Sequence, residues 1–318
     1  MPLGGNIELK FGVVLFSAHY LPFQETIKNS QFVEKLGYDS IWMGDHFYNR
    51  VNPKDPWFEP WTTLAALATK TTRIRLGTLV TNFIYRNPVL VAQQALTVEH
   101  ISNGRLELGL GTGVYQEDHT MAGIDYWPPK ERVQRFHEGV QIVDLMLRNP
   151  ITSFQGKYYR VDQAVCNPSP IQDPRPPFTI AAFGKKMMRI AAEFADSWNT
   201  LARSTENLRA GTSPTAEEAL NETKRQNEQL NHYCKSLGRN PLSIKRSLLV
   251  GWTPDAPIDS LDAFYEFVEK YSAIGITEFI FYWLTDEYRE LIGNRIRCLG
   301  TSMIESIAQE GIPKYSLI

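Results

Sequence analysis

Eight short, near-continuous apolar runs, each followed by a segment of different periodicity, constrain this chain more than any other feature. They are Phe11–Phe16, Ser40–Gly44, Arg75–Val80, Arg105–Gly111, Phe178–Phe183, Ser197–Thr200, Ile244–Gly251 and Glu278–Trp283. Runs that lack strict polar alternation suit strands covered on both faces, as in a parallel sheet. Between them, apolar residues return at helical spacing. Val133, Phe136, Val140, Val143 and Leu147 form one such stripe; Met187, Ile190, Ala191, Phe194 and Ala195 form a second, and Phe264, Phe267, Val268 and Tyr271 a third. Eight strands alternating with one-faced helices predict an α/β fold, a (β/α)8 TIM barrel, in preference to an open doubly wound sheet. Two segments break the rhythm: a hairpin at Phe154–Val161 with the proline-rich Asn167–Pro177 after it, and the polar Ala202–Pro214. Both fall where loops are inserted into one barrel, so residues 1–318 read as a single domain.

Composition narrows the function classes. The 33 basic and 35 acidic residues leave a net charge of −2, which gives no field for nucleic acid or an anionic membrane surface. No apolar run is long enough to cross a bilayer and the N-terminus lacks a signal-peptide pattern, so the expected location is cytoplasmic. The three cysteines, Cys166, Cys234 and Cys298, form no CxxC pair, and the six histidines show neither HxH nor HExxH spacing. Neither a disulfide framework nor a metal site is expected.

Active sites of such barrels gather at the C-terminal ends of the strands. The residues there include Ser17, Ala18 and His19 after the first strand, Asp45, His46 and Phe47 after the second, and Thr81, Asn82 and Arg86 after the third. Thr112, Gly113 and Tyr115 follow the fourth, Gly184 the fifth, and Trp198, Asn199 and Thr200 end the sixth. His46 is the candidate for proton transfer, since imidazole titrates near neutrality; capping of its strand is the plain structural alternative. The glycines of Gly109-Leu-Gly-Thr-Gly113 permit a tight turn or the close approach of a flat ring. They are not a dinucleotide fingerprint, because Val114 stands where the last glycine is required. Gly184 and Lys185 open a helix, where free N–H groups can seat a phosphate or simply turn the chain.

Taken together, four stretches resemble the bacterial luciferase-like monooxygenase family: Leu36–Phe47 (LGYDSIWMGDHF), Arg73–Gly113, Glu131–Leu147 and Thr179–Asn199. Residues 10–200 carry the likeness, and the last third follows it only in general pattern. The resemblance implies a (β/α)8 barrel that binds FMN or the deazaflavin coenzyme F420, and it leans toward the F420-using branch. It implies that His46 faces the reactive side of the ring, with Asp45 beside it. It implies a non-proline cis peptide at Leu79–Val80 forming a bulge under the ring, Thr112 and Gly113 near the ring and ribityl chain, and Phe183 and Gly184 at the phosphate. It also implies a homodimer. In the sugar-phosphate dehydrogenases of this family an acidic glutamate follows the GTG motif; here that residue is Val114, and Glu117 and Asp118 are the nearest acids. The expected activity is hydride transfer between F420 and a small organic substrate, with an FMN-dependent monooxygenase and a non-catalytic flavin-binding barrel as alternatives.

Overall fold

The computed structural model describes residues 8–15, 22–49, 52–284, 289 and 296–316. The strand-one candidates Ser17, Ala18 and His19, with Phe16 at the end of the first run, lie outside the described residues. In chain order the first half comprises β1 (Lys10–Leu15), α1 (Phe23–Leu36), β2 (Ser40–Met43), α2 (Pro60–Ala68), β3 (Arg75–Thr78), β4 (Thr81–Asn82), α3 (Pro88–Ile101), β5 (Leu106–Gly111), α4 (Gln116–Met121) and α5 (Pro129–Arg148). The hairpin β6 (Ile151–Gln155) and β7 (Arg160–Val165) follows. The second half comprises β8 (Phe178–Ala181), α6 (Lys185–Phe194), β9 (Ser197–Thr200), α7 (Thr205–Ala210), α8 (Ala216–Ser236), β10 (Lys245–Val250), α9 (Leu261–Ser272) and β11 (Glu278–Trp283). A last helical stretch runs from Thr301 to Ser316 through a π turn at Ile307–Gly311.

The strands lie in the order β3-β2-β1-β11-β10-β9-β8-β5, all parallel, and β3 pairs with β5 through Leu76↔Leu106 and Gly77↔Glu107. That last pairing closes the sheet into an eight-stranded barrel, with β4 continuing β3 along β5. The expected runs are all strands, mostly with ends shifted by a residue or two. β3 stops at Thr78 instead of Val80, because the chain passes there through the cis Leu79–Val80 peptide. β8 stops at Ala181, leaving Ala182, Phe183 and Gly184 as the turn into α6.

Side chains alternate between two cores. Val13, Ile41, Leu248, Phe279 and Phe281 pack outward with the helices, whereas Val14, Trp42, Leu249, Ile280 and Tyr282 form a separate buried cluster inside the barrel. Trp42 fills the lumen and donates its indole N–H to Ser40 Oγ at 2.8 Å. Space for it comes from missing side chains: a Cβ on Gly77 would lie 2.6 Å from the Trp42 ring and 2.7 Å from the Glu107 carbonyl oxygen. Local signals set the helix starts. Pro60 and Pro88 each open a helix behind a capping side chain, Glu59 and Asn87, and capping boxes begin α7 (Ser204 with Asn207) and α8 (Thr215 with Glu218). α1 ends on Gly37, whose φ of 97° suits glycine. Among the described residues no helix is long and apolar enough to cross a membrane.

Candidate active site

The ends of β2, β3 and β5 converge through side chains that are distant in sequence. Asp45, two residues past β2, is buried, and its carboxylate is fully engaged. Arg86 grips it from Nε at 2.6 Å and Nη2 at 2.8 Å, the Tyr85 hydroxyl donates at 2.8 Å, and the Asn82 backbone N–H donates at 2.9 Å. Arg86 also reaches Glu59, the N-cap of α2, at 2.7 Å. Burial and the adjacent Asp45 carboxylate hold the Tyr85 phenol well above its usual range. Such a bidentate, two-charge clamp fixes the β2 and β3 ends against one another.

His46, next in the chain, is only partly covered. Its Nδ1 lies 3.1 Å from Oδ2 of Asp118, which is fully buried in the first turn of α4. The Asn82 amide donates to the same Oδ2 at 3.0 Å, and Asn82 Oδ1 accepts from the Ile84 N–H at 3.1 Å. The other carboxylate oxygen, Asp118 Oδ1, is buried with no hydrogen-bond partner. Beside a carboxylate, Nδ1 carries its proton, and Nε2 makes no hydrogen bond to the described residues. Aromatic walls flank the imidazole, with the Tyr115 ring 5.5 Å and the Trp57 ring 6.2 Å away between centroids.

The floor beside these groups is glycine-lined. Leu79–Val80 is a cis peptide, and the Leu79 N–H donates to Met43 O at 2.7 Å, joining it to β2. A Cβ on Gly109 would collide with the Thr78 carbonyl, and one on Gly111 with the Val80 side chain. Gly113 has a φ of 66° and lies so close to Asn82 Oδ1 and Ile84 that no side chain fits. The glycines therefore serve the approach of β5 to the bulge, whatever else they admit. Thr112 is half-buried between them.

Gly184 stands apart in kind. It is the N-cap of α6, no side chain caps that helix, and a Cβ there would touch only the Thr205 methyl at 3.4 Å. The first N–H groups of this ten-residue helix thus have no capping side chain, and Lys185 and Lys186 are exposed beside them. Phe183 is half-buried on the same turn.

Of the residues singled out from the sequence, Asp45, His46, Leu79, Val80, Thr112 and Gly113 come together around β2, β3 and β5, and Phe183 and Gly184 sit at the β8 end of the same barrel rim. Val114, at the place of the family's glutamate, is exposed, as is Glu117; Asp118 is the acid that reaches His46. Sequence reasoning did not see that Tyr85 and Arg86 would clamp Asp45. The signal available was a basic residue after β3 facing an acid after β2. His119 is buried with Nδ1 3.1 Å from the Tyr115 carbonyl and packs against Tyr126 and Trp127, a structural role. The three cysteines are buried thiols, and among the described residues no group of acidic, histidine or cysteine side chains is arranged to hold a metal ion.

Comparison with known proteins supports the fold and assigns the family. The chain is 30% identical over 194 residues to the F420-dependent glucose-6-phosphate dehydrogenase of Amycolatopsis mediterranei, spanning 60% of this chain and 56% of that protein. It is 28% identical over 265 residues to the phthiodiolone/phenolphthiodiolone dimycocerosates ketoreductase of Mycobacterium kansasii, spanning 76% of this chain and 66% of that protein. In each case the matched stretch is less than two thirds of the relative's own length. In fold it resembles the coenzyme F420-dependent tetrahydromethanopterin reductase of Methanopyrus kandleri, with a TM-score of 0.74 at 17% identity over 97% of this chain and 99% of that one. The sequence pattern of the luciferase-like monooxygenases matches residues 9–238, and the chain belongs to that family.

Proposed function

We propose that this protein is a coenzyme F420-dependent oxidoreductase that moves a hydride between the deazaflavin and an alcohol or carbonyl substrate, with His46 handling the accompanying proton. The observation that carries the reading is the His46–Asp118 pair: an imidazole anchored at Nδ1 by a buried carboxylate, with Nε2 left for a ligand. The residues present fit the coenzyme. The α6 N-terminus at Gly184, which no side chain caps, would take its phosphate, and the β3 bulge at Leu79–Val80, seated on the β5 glycines, would form the floor under its ring. Relatives named for F420-dependent dehydrogenase activity favour the same coenzyme.

When bound, F420 supplies a two-electron carrier that accepts or gives a hydride at carbon. His46 Nε2 takes the hydroxyl proton of an alcohol as its carbon loses hydride, or returns that proton to a carbonyl oxygen in the reverse direction. Asp118 keeps Nδ1 protonated, so that Nε2 presents its lone pair, and stabilises the imidazolium that results. Asp45, clamped by Arg86 and Tyr85, holds the turn that carries His46 and fixes the Asn82 N–H. Thr112, Gly113, Leu79 and Val80 would line the ring position, and Phe183 and Gly184 would hold the tail. The small-molecule substrate would lie against Tyr115 and Trp57, whose rings flank the imidazole. A homodimer formed through barrel helices belongs to the same reading.

Replacing His46 with Asn tests it. Proton transfer by a placed side chain contributes at least about a hundredfold, so kcat with F420 and a panel of secondary alcohols and ketones falls by that factor while F420 affinity holds. Undiminished turnover removes His46 from the mechanism.

A further inference from the structure

Several buried guanidinium groups among the described residues are matched to acceptors, although Arg132, 9% exposed, leaves its Nη1 without one. Arg86 meets Asp45 and Glu59, and Arg175 meets Asp144 and Asp196. Arg246 has no carboxylate beside it, yet its Nε, Nη1 and Nη2 all donate to carbonyl or amide oxygens. Arg203 differs. It is 7% exposed, and no carboxylate among the described residues forms an ion pair with it. Nη2 donates to the carbonyls of Asn207 (3.2 Å) and Thr212, Nε is buried without an acceptor, and Nη1 meets no acceptor among the described residues. Burial lowers its pKa from the ordinary guanidinium value, with the Tyr115 phenol opposing. A buried guanidinium nitrogen without an acceptor opposes folding unless something else completes it.

The surroundings place this cation at the mouth of the barrel. Arg203 lies three residues past β9, at the same strand-end rim as His46. Its guanidinium sits 5.5 Å from the centre of the Trp252 ring, just past β10, and the Trp252 N–H donates to the Tyr282 hydroxyl of β11 at 3.3 Å. Tyr115, past β5 on the same rim, packs its ring against His46, and its phenol opposes the lowering of the Arg203 pKa. The backbone there is held with care: Ala202 has a φ of 55°, its N–H donates to Thr200 Oγ1 at 3.2 Å, Thr200 donates to Gln226, and Gln226 Nε2 donates to the Arg203 carbonyl at 3.0 Å. A non-glycine residue in the left-handed region persists where its surroundings over-determine it, and such positions cluster at ligand sites.

We propose that Arg203 is an anion-recognition residue of the active site, binding a carboxylate or phosphate oxygen of a ligand seated across Tyr115 from His46. A planar guanidinium with free Nε and Nη1 protons matches an oxyanion, and the Trp252 face gives the ligand's neighbouring carbons an apolar wall. The inference rests on the redox reading for the meaning of substrate, but anion binding itself needs no turnover. The anion has two possible sources, the substrate or the coenzyme's charged tail.

The test titrates inorganic phosphate and acetate into the full-length protein, alone and saturated with F420, using wild type, Arg203→Met and Arg203→Lys. The expected result is saturable binding weakened at least tenfold in Arg203→Met and less in Arg203→Lys. If the substrate is the source, phosphate binding survives F420 saturation and the variants leave F420 affinity unchanged. If the tail is the source, F420 displaces phosphate, and Arg203→Met weakens F420 but not the ring fragment that lacks the tail. Either pattern supports the site. Equal phosphate, acetate and F420 affinities in wild type and Arg203→Met overturn it. Should Arg203→Met fail to fold, anion-dependent tryptophan fluorescence in the wild type, lost in Trp252→Phe, reads the same contact, and a signal that persists in Trp252→Phe overturns the proposal. Wild-type protein that transfers hydride with F420 but binds neither phosphate nor acetate overturns this site and leaves the redox reading standing, whereas Arg203-dependent anion binding without hydride transfer overturns only the redox reading.

Discussion

Asp118→Asn separates what the buried acid does for catalysis from what it does for the fold. Asp118 Oδ2 accepts from His46 Nδ1 at 3.1 Å and from Asn82 Nδ2 at 3.0 Å, and Asn preserves that shape while removing the charge. Hydrogen bonds to charged groups are worth about 1.5–3 kcal/mol, against about 0.5–1.5 for neutral ones. The difference matters most when His46 becomes an imidazolium. Losing that difference, about 1–1.5 kcal/mol, lowers kcat by roughly five- to tenfold. Stability moves the other way or not at all, because the fully buried carboxylate has an unpartnered Oδ1, and burying a charge opposes folding by several kcal/mol. The assay pairs steady-state kinetics with F420 affinity and thermal unfolding of the same variant. The account expects kcat reduced, F420 affinity within twofold of wild type, and a melting temperature equal or higher. A kcat within twofold of wild type, or a kcat loss that merely follows a lower melting temperature, refutes the assignment of Asp118 as the residue that positions His46.

Three further outcomes follow from the same contacts. Arg86→Met leaves the buried Asp45 carboxylate without its bidentate partner and destabilises the protein by about 3–5 kcal/mol, measurable by urea unfolding, and adding Asp45→Asn recovers part of the loss. Gly184→Val leaves the melting temperature within a few degrees, because a Cβ meets only Thr205, but it lowers F420 affinity at least tenfold and spares the ring fragment that lacks the phosphate; equal losses for both ligands would show that the turn does not hold the tail. Glu278 begins β11 inside the barrel, and burial, reinforced by the Glu107 carboxylate, raises its pKa to about 8. The unfolded chain releases that proton near the ordinary glutamate value of about 4.3, so the folded state binds more protons between these limits, and this residue's contribution to stability falls as pH rises from about 4.3 to 8. Glu278→Gln removes that slope and raises stability at neutral pH, as denaturant unfolding across the range would show.

The strand pattern was readable because barrel strands are buried on both faces and so write themselves as apolar runs. Ser197–Thr200 and Glu278–Trp283 match the structure to the residue. β3 was read two residues too long, since Leu79 and Val80 are as apolar as the strand they leave, and a change of peptide geometry carries no compositional mark. The site was legible as a set of strand ends, because strand order alone brings Asp45, His46, Asn82 and Gly113 to one rim. Its pairings were not. His46 and Asp118 are 72 residues apart, and Asp45 and Arg86 are 41 apart, so each pairing depends on how a loop is threaded. Asp118 was one of two adjacent acids, and only the helical phase of α4 decides that it turns inward while Glu117 faces solvent. Arg203 looked like one more polar loop residue, since its burial comes from Trp252 and the Asn207–Thr212 turn closing over it.

The most direct trial of the central claim is an equilibrium titration of the purified protein with F420 and, in parallel, with FMN, under anaerobic conditions. An F420-dependent site in this barrel predicts that F420 binds at least tenfold more tightly, a difference of about 1.4 kcal/mol. FMN affinity equal to or greater than that for F420, with oxygen consumed on reduction of the bound flavin, would contradict the account.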